Sequence, residues 1–201
     1  LALAGSAAAQ GPSPEAVAAA ALKAAPVWDG HNDVPDKLRD MRRNVLGSFD
    51  FTDTTAERDP AGKTPPFQTD IKRLRAGQVG AQFWSVYVPA SMAPVDAAKA
   101  TFEQIDTVKR IVAAHPETFE IATTADDLVR IHRAGKIASL IGMEGGYSID
   151  DSLGLLREFY DSGARYMALT HSKTTTWADS ATDAPKWGGL SPFGEQVVKE
   201  M

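Results

Sequence analysis

Residues able to bind a metal recur where the short apolar runs of this chain stop. The first such place is "VWDGHNDVP" (27–35), where an imidazole, His31, and a carboxylate, Asp33, are separated by one residue. Extended backbone sends alternate side chains to opposite faces, so His31 and Asp33 point one way and Asn32 the other. Imidazole nitrogen and carboxylate oxygen suit Zn²⁺ or a similar divalent ion, each reaching about 2.0–2.2 Å. Taken alone, the tripeptide reads better as rim or capping decoration. The run "IASLIGMEGG" (137–146) ends in Glu144, and "YMALTHS" (166–172) ends in His171. A carboxylate directly after so apolar a run is costly to bury unpaired, so it must face water, a cation or hydrogen-bond donors. Gly145 and Gly146 remove side-chain bulk beside it, which leaves room for a ligand or a second ion.

Each residue has a plainer reading by itself. Glu144 fits a rim carboxylate paired with an arginine, and His171 fits a histidine anchoring the loop after it. The coincidence across three runs favours a metal site. The run ending in "YVPAS" offers no such group and is assigned to the pocket wall. His115 and His132 fall at helix C-termini, where they can meet the last carbonyls and the negative dipole end, and are read as structural. Trp177, Asp179 and Asp183 are candidates for substrate contact, although loops commonly carry such residues.

The elements that must position these groups alternate. Buried strands are expected over 25–30, 80–88, 137–142 and 166–170, with "FEIA" (119–122) as a short further strand. Thr69-Asp70 caps a short helix closed by Gly77. An amphipathic helix over 95–114 carries Phe102, Ile105, Val108 and Val112 on one side. Thr124 and Asp127 form a capping box for helix 125–134, and helix 151–162 ends at Gly163. The loop 173–189 is too long for a plain connector and is a candidate binding loop. Apolar strands alternating with amphipathic helices indicate parallel βα units. A doubly wound sheet lacks support, because no Gly-rich phosphate loop follows the first strand. A (β/α)8 TIM-barrel type needs eight strands and about 250 residues, so four units make the first half of one.

Composition agrees. The 201 residues are 43% hydrophobic and 23% charged, as in an ordinary globular protein. A formal charge of −5 argues against nucleic acid, and the basic stretch "DKLRDMRRN" is interleaved with acids as on a solvated helix face. The absence of cysteine excludes disulfides, thiolate metal sites and a cysteine nucleophile. No run approaches the roughly 20 apolar residues of a membrane span. "LALAGSAAAQ" reads as the tail of a secretory leader before a helix started by Ser13-Pro14-Glu15, the alternative being an alanine-rich helical extension. Residues 1–25 are thus expected to be a leader remnant and helical extension, and 26–201 the N-terminal part of a hydrolase barrel. "SPFGEQVVKEM" starts a helix at Ser191-Pro192 that carries no stop signal, as expected of a fragment.

The stretches "WDGHNDVP", "TDIKRLRAGQVGAQFWSVYVP", "IASLIGMEGG" and "YMALTHS…WADSATD" resemble the membrane (renal-type) dipeptidase family, peptidase M19, a group of metal-dependent amidohydrolase-like barrels. The resemblance runs from about Val27 to Met201. It implies that His31 and Asp33 bind one metal, that Glu144 bridges two zinc ions, and that His171 contacts the scissile carbonyl side of the substrate. It implies hydrolysis of a dipeptide, often with a D-residue at the second position, by metal-activated water. Export to a bacterial periplasm or the medium is expected, and a homodimer is admitted without being required. The family also uses two later histidines, an arginine and an aspartate that this chain does not contain, so the 201-residue piece alone is expected to be inactive. Three alternatives stand beside this reading. They are another hydrolase of the same superfamily, an exported solute-binding module, and an inert half-barrel with unpaired strand edges.

Overall fold

Local signals in the sequence place most of the elements. The computed structural model describes residues 11–59, 61–63 and 65–201. The expected leader, 1–10, lies outside them. Ser13 accepts a hydrogen bond from the Ala16 amide at 3.3 Å and starts helix α1 (Pro14–Ala24), which buries none of its residues. Strand β1 (Val27–Asn32) leads into α2 (Val34–Arg42), the helix expected from the interleaved basic stretch. Asp70 caps α3 (Ile71–Ala76) through the Arg73 amide at 2.7 Å. Strand β2 (Val79–Tyr87) and helix α4 (Pro94–Ala114) follow, then β3 (Phe119–Ile121). Helix α5 (Ala125–Arg133) opens with the reciprocal Thr124–Asp127 capping box. Strand β4 (Ile137–Glu144) comes next, then α6 (Leu153–Asp161), β5 (Ala164–Ala168) and α7 (Pro192–Glu200).

Three expected boundaries shift by two residues, the first strand running over 27–32 rather than 25–30 so that His31 lies inside it. The helix expected over 151–162 starts at Leu153, because Asp150 and Asp151 take left-handed backbone (φ 47° and 50°) and Ser152 supplies the cap. The last strand runs over 164–168 rather than 166–170. Gly163, at φ 112°, turns the chain straight from α6 into the ladder, and residues from 169 onward leave it.

All pairings in the sheet are parallel. β1 pairs with β2, and β2 with β4 along most of its length. The other edge of β4 is divided, since β3 pairs with residues 137–139 and β5 with residues 141–144. The four expected strands are therefore present in barrel order, and the short "FEI" segment is a true fifth strand wedged at the N-terminal end.

Helices α2, α4 and α6 cover one face. Trp84 and Val86 of β2, Ile141 and Met143 of β4 and Met167 of β5 share a buried cluster with Leu38, Ile105, Val108 and Phe159. On the other face, Ala81, Ala138 and Leu140 meet Leu128 and Ile131 of α5 near the start of the strands. A doubly wound sheet would carry helices over both faces. Here the C-terminal half of the second face holds polar groups instead, as the inside of a (β/α)8-type barrel would.

Candidate metal centre

His31 reaches the site from within β1, and its amide donates to the Asp29 carboxylate at 3.1 Å. Asp33 occupies the N-cap position of α2 yet makes no capping hydrogen bond. Its carboxylate turns back instead, and Oδ1 lies 3.1 Å from His31 Nε2. Asn32 points away, as the alternation requires, donating to Thr69 Oγ1 at 2.9 Å. Glu144 ends β4 with both oxygens engaged. Oε2 lies 3.2 Å from His31 Nε2, and Oε1 lies 3.4 Å from His171 Nε2. His171 sits in the turn beyond β5, where its carbonyl accepts from Ser180 Oγ at 2.7 Å.

The donor set fits a divalent ion. Ligand atoms of His31, Asp33 and Glu144 all lie within 4.8 Å of one another. Two ligands about 2.1 Å from a tetrahedral zinc stand roughly 3.4 Å apart, close to the 3.1 and 3.2 Å separations from His31 Nε2. His31, Asp33, Asp36 and Asp40 border a cleft of about 400 Å³ along α2.

Negative charge dominates this end of the sheet. Burial, reinforced by the Asp40 carboxylate, pushes Asp36 up to about 6, against partial relief from Arg39. Burial also raises the Tyr87 phenol, with help from the charges on Asp36 and Glu144. Tyr166 is raised by burial and then by Glu144, Asp33 and Asp29. Both phenols therefore stay protonated at neutral pH, beside carboxylates that a cation would neutralise.

Several expectations need correction. β2 is not a plain wall: Ser85 Oγ donates to Glu144 Oε2 at 3.0 Å, and the Tyr87 ring stands edge-on to His171 with centroids 5.1 Å apart. The alternation in "FWSVY" carried that signal, because Ser85 and Tyr87 share the face of Glu144. The space beside Gly145 and Gly146 is filled by the chain itself. A Cβ on Gly145, whose φ is 107°, would lie 2.4 Å from the Tyr147 ring, and one on Gly146 would lie 2.4 Å from Trp177. Trp177 is 1% exposed and belongs to the core. Asp179 staples its own loop, accepting from the amides of Lys186 (2.7 Å), Trp187 (3.1 Å) and Gly189 (2.9 Å). Asp183 likewise accepts from the Thr174 amide at 3.0 Å. These three order the loop rather than present free groups. His115 caps α4, its amide donating to the Val112 carbonyl, and the His132 ring packs beside Gly80, so both stand apart from the centre.

Comparison with known proteins assigns the chain to a family and a fold. Residues 15–201 match the family model of membrane dipeptidases, peptidase family M19. The chain is 42% identical over 189 residues to mouse Dipeptidase 3, covering 92% of this chain and 36% of that protein. It is 40% identical over 180 residues to Dipeptidase ataJ of Aspergillus terreus, covering 86% and 42% respectively. It thus spans less than half the length of these curated relatives. Among solved structures, it superposes with TM-score 0.69 at 20% identity on a metallopeptidase from Rhodobacter sphaeroides liganded with a phosphinate mimic of the dipeptide L-Ala-D-Ala. That match covers 87% of this chain and 55% of the other.

Proposed function

This chain belongs to the membrane dipeptidase family, peptidase family M19, and from that membership we propose that it supplies the first group of site residues of a zinc-dependent dipeptidase. The observation that carries the reading is the convergence of His31, Asp33 and Glu144: His31 Nε2 lies 3.1 Å from its near neighbour Asp33 and 3.2 Å from Glu144, which comes from a distant strand. His31 and Asp33 would hold one ion, and Glu144, with an oxygen toward each histidine, would bridge it to a second. Zinc bound there supplies Lewis acidity, polarising the substrate carbonyl and lowering the pKa of a water from 15.7 to about 7.

The chain's own residues do the rest. His171 Nε2 faces the Glu144 carboxylate at 3.4 Å and is placed to donate to the oxyanion that develops on the peptide carbonyl. Tyr87 backs its ring, and Ser85 fixes Glu144. Protonated phenols on two sides keep further negative charge out of the site. The substrate is a dipeptide, and a D-residue at its second position is part of the proposal, supported by the L-Ala-D-Ala mimic bound to the Rhodobacter relative. Export belongs to the proposal as well, supported by the alanine-rich start that precedes Ser13.

The test uses the protein encoded by the complete gene. It should bind two zinc ions per chain by elemental analysis and hydrolyse Ala-D-Ala. Glu144→Gln should lose both metal and turnover. A Glu144→Gln protein that keeps two ions and normal turnover would refute the bridging role.

A further inference from the structure

Gly142 and Tyr166 are direct partners in the β4–β5 ladder. The tyrosine ring lies across the glycine so closely that a Cβ there would stand 2.0 Å from Cζ and 2.5 Å from Oη. On another side the ring meets Phe83, with centroids 4.8 Å apart. Held between the two, the ring carries its hydroxyl across to β1. Tyr166 Oη lies 3.2 Å from His31 Nδ1 and donates to the Gly30 carbonyl at 3.4 Å.

One arrangement of hydrogens satisfies both contacts and leaves a lone pair for a metal. A phenol has one proton to give. With that proton directed at Gly30, the oxygen is left to accept, and the donor facing it is the N–H at Nδ1 of His31. An imidazole holding its proton at Nδ1 has its lone pair at Nε2, the atom that faces Asp33 and Glu144. The ordinary partners of a metal-binding histidine are a carboxylate, a backbone carbonyl or water, and they set its tautomer and ring angle. Among the described residues, no other side chain is recorded as hydrogen-bonded to His31 Nδ1.

We propose that Tyr166 is a positioning residue that presents His31 Nε2 to the metal, and that Gly142 is glycine so that the Tyr166 ring can reach. The inference rests on the metal-centre reading above. It adds two residues to the centre, one of which touches no ligand atom at all.

The experiment measures the zinc dissociation constant of the protein from the complete gene, by competition with a chromophoric chelator. Tyr166→Phe keeps the ring and deletes only the hydroxyl. It should weaken zinc binding by about 10- to 100-fold, leave the melting midpoint of the metal-free protein unchanged, and alter the visible spectrum of the Co²⁺-loaded form. Gly142→Ala should weaken binding similarly, and the double variant should be no worse than Tyr166→Phe. Affinity within twofold of the parent for Tyr166→Phe overturns the proposal, as does a lowered midpoint with unchanged affinity. His31→Ala separates the two levels. If it binds zinc as tightly as the parent, the metal-centre reading itself fails. If it loses zinc while Tyr166→Phe does not, only the positioning role fails.

Discussion

Ser85 Oγ donates to Glu144 Oε2 at 3.0 Å, across the β2–β4 ladder and on the face opposite α2, α4 and α6. A hydrogen bond to a charged acceptor contributes about 1.5–3 kcal/mol, and Ser85 is fully buried. Ser85→Ala frees the carboxylate to rotate away from His31. Zinc affinity should fall roughly 10-fold, as for other groups that hold a ligand in place. Isothermal titration of the metal-free protein checks this, and an unchanged affinity would remove Ser85 from the site.

His171 and Tyr87 should behave as a unit. His171→Ala should lower kcat by on the order of 10²–10³, the usual cost of losing one oxyanion donor, with metal content unchanged. The Tyr87 backbone is clamped by the buried Gln104 carboxamide, which accepts from its amide at 3.1 Å and donates to its carbonyl. Tyr87→Ala should therefore lose much of the same kcat, and Tyr87→Phe should restore it. Additive losses in the double variant would show the two rings to be independent.

Asp36 gives a pH dependence whose sign can be worked out. Its folded-state value of about 6 lies above the ordinary 3.8, so the folded chain holds this proton more tightly than the unfolded chain. The associated stability is fully present below 3.8 and is lost as pH rises through 6. The full shift corresponds to about 3 kcal/mol as an upper bound, reduced because the side chain is 23% exposed. In the metal-free protein, Asp36→Asn should raise the urea midpoint at pH 7.5 and leave it nearly unchanged at about pH 4. A gain of equal size at both values would exclude titration as the cause.

Gly146 is a position of close packing rather than an entry for ligand. A methyl group there would meet Trp177 at 2.4 Å and the Leu169 carbonyl at 2.6 Å, and the latter is backbone that cannot swing aside. Gly146→Ala should cost about 1–3 kcal/mol by overpacking. Chemical denaturation measures it. Equal stability would show that the Trp177 shelf yields freely.

How far the sequence disclosed these features depended on the range of the signal. The capping box at Thr124, the Asp70 cap and the proline-led helices were legible because each is settled within four residues. His31, Asp33 and Glu144 were legible because apolar runs stopped at them. Ser85 was missed for the opposite reason, since a serine inside an apolar strand carries no charge to draw notice. In sequence Tyr166 is only a strand former, because its reach to His31 depends on the empty position at Gly142, which only the register reveals. The long loop misled in another way. Asp179 and Asp183 look available in sequence, yet loops of that length must satisfy their own amides, and these carboxylates do so.

The divided edge of β4 bears on how the centre comes and goes. β4 has neighbours along both sides, whereas β1 has one recorded neighbour among the described residues, in a ladder interrupted by two register shifts. Within residues 11–201 alone, Glu144 thus belongs to the segment whose amides should trade protons with solvent most slowly, and His31 to one that frays early. Zinc would rivet a fraying margin to a settled centre. Its arrival should slow deuterium uptake over residues 27–32 far more than over 137–144.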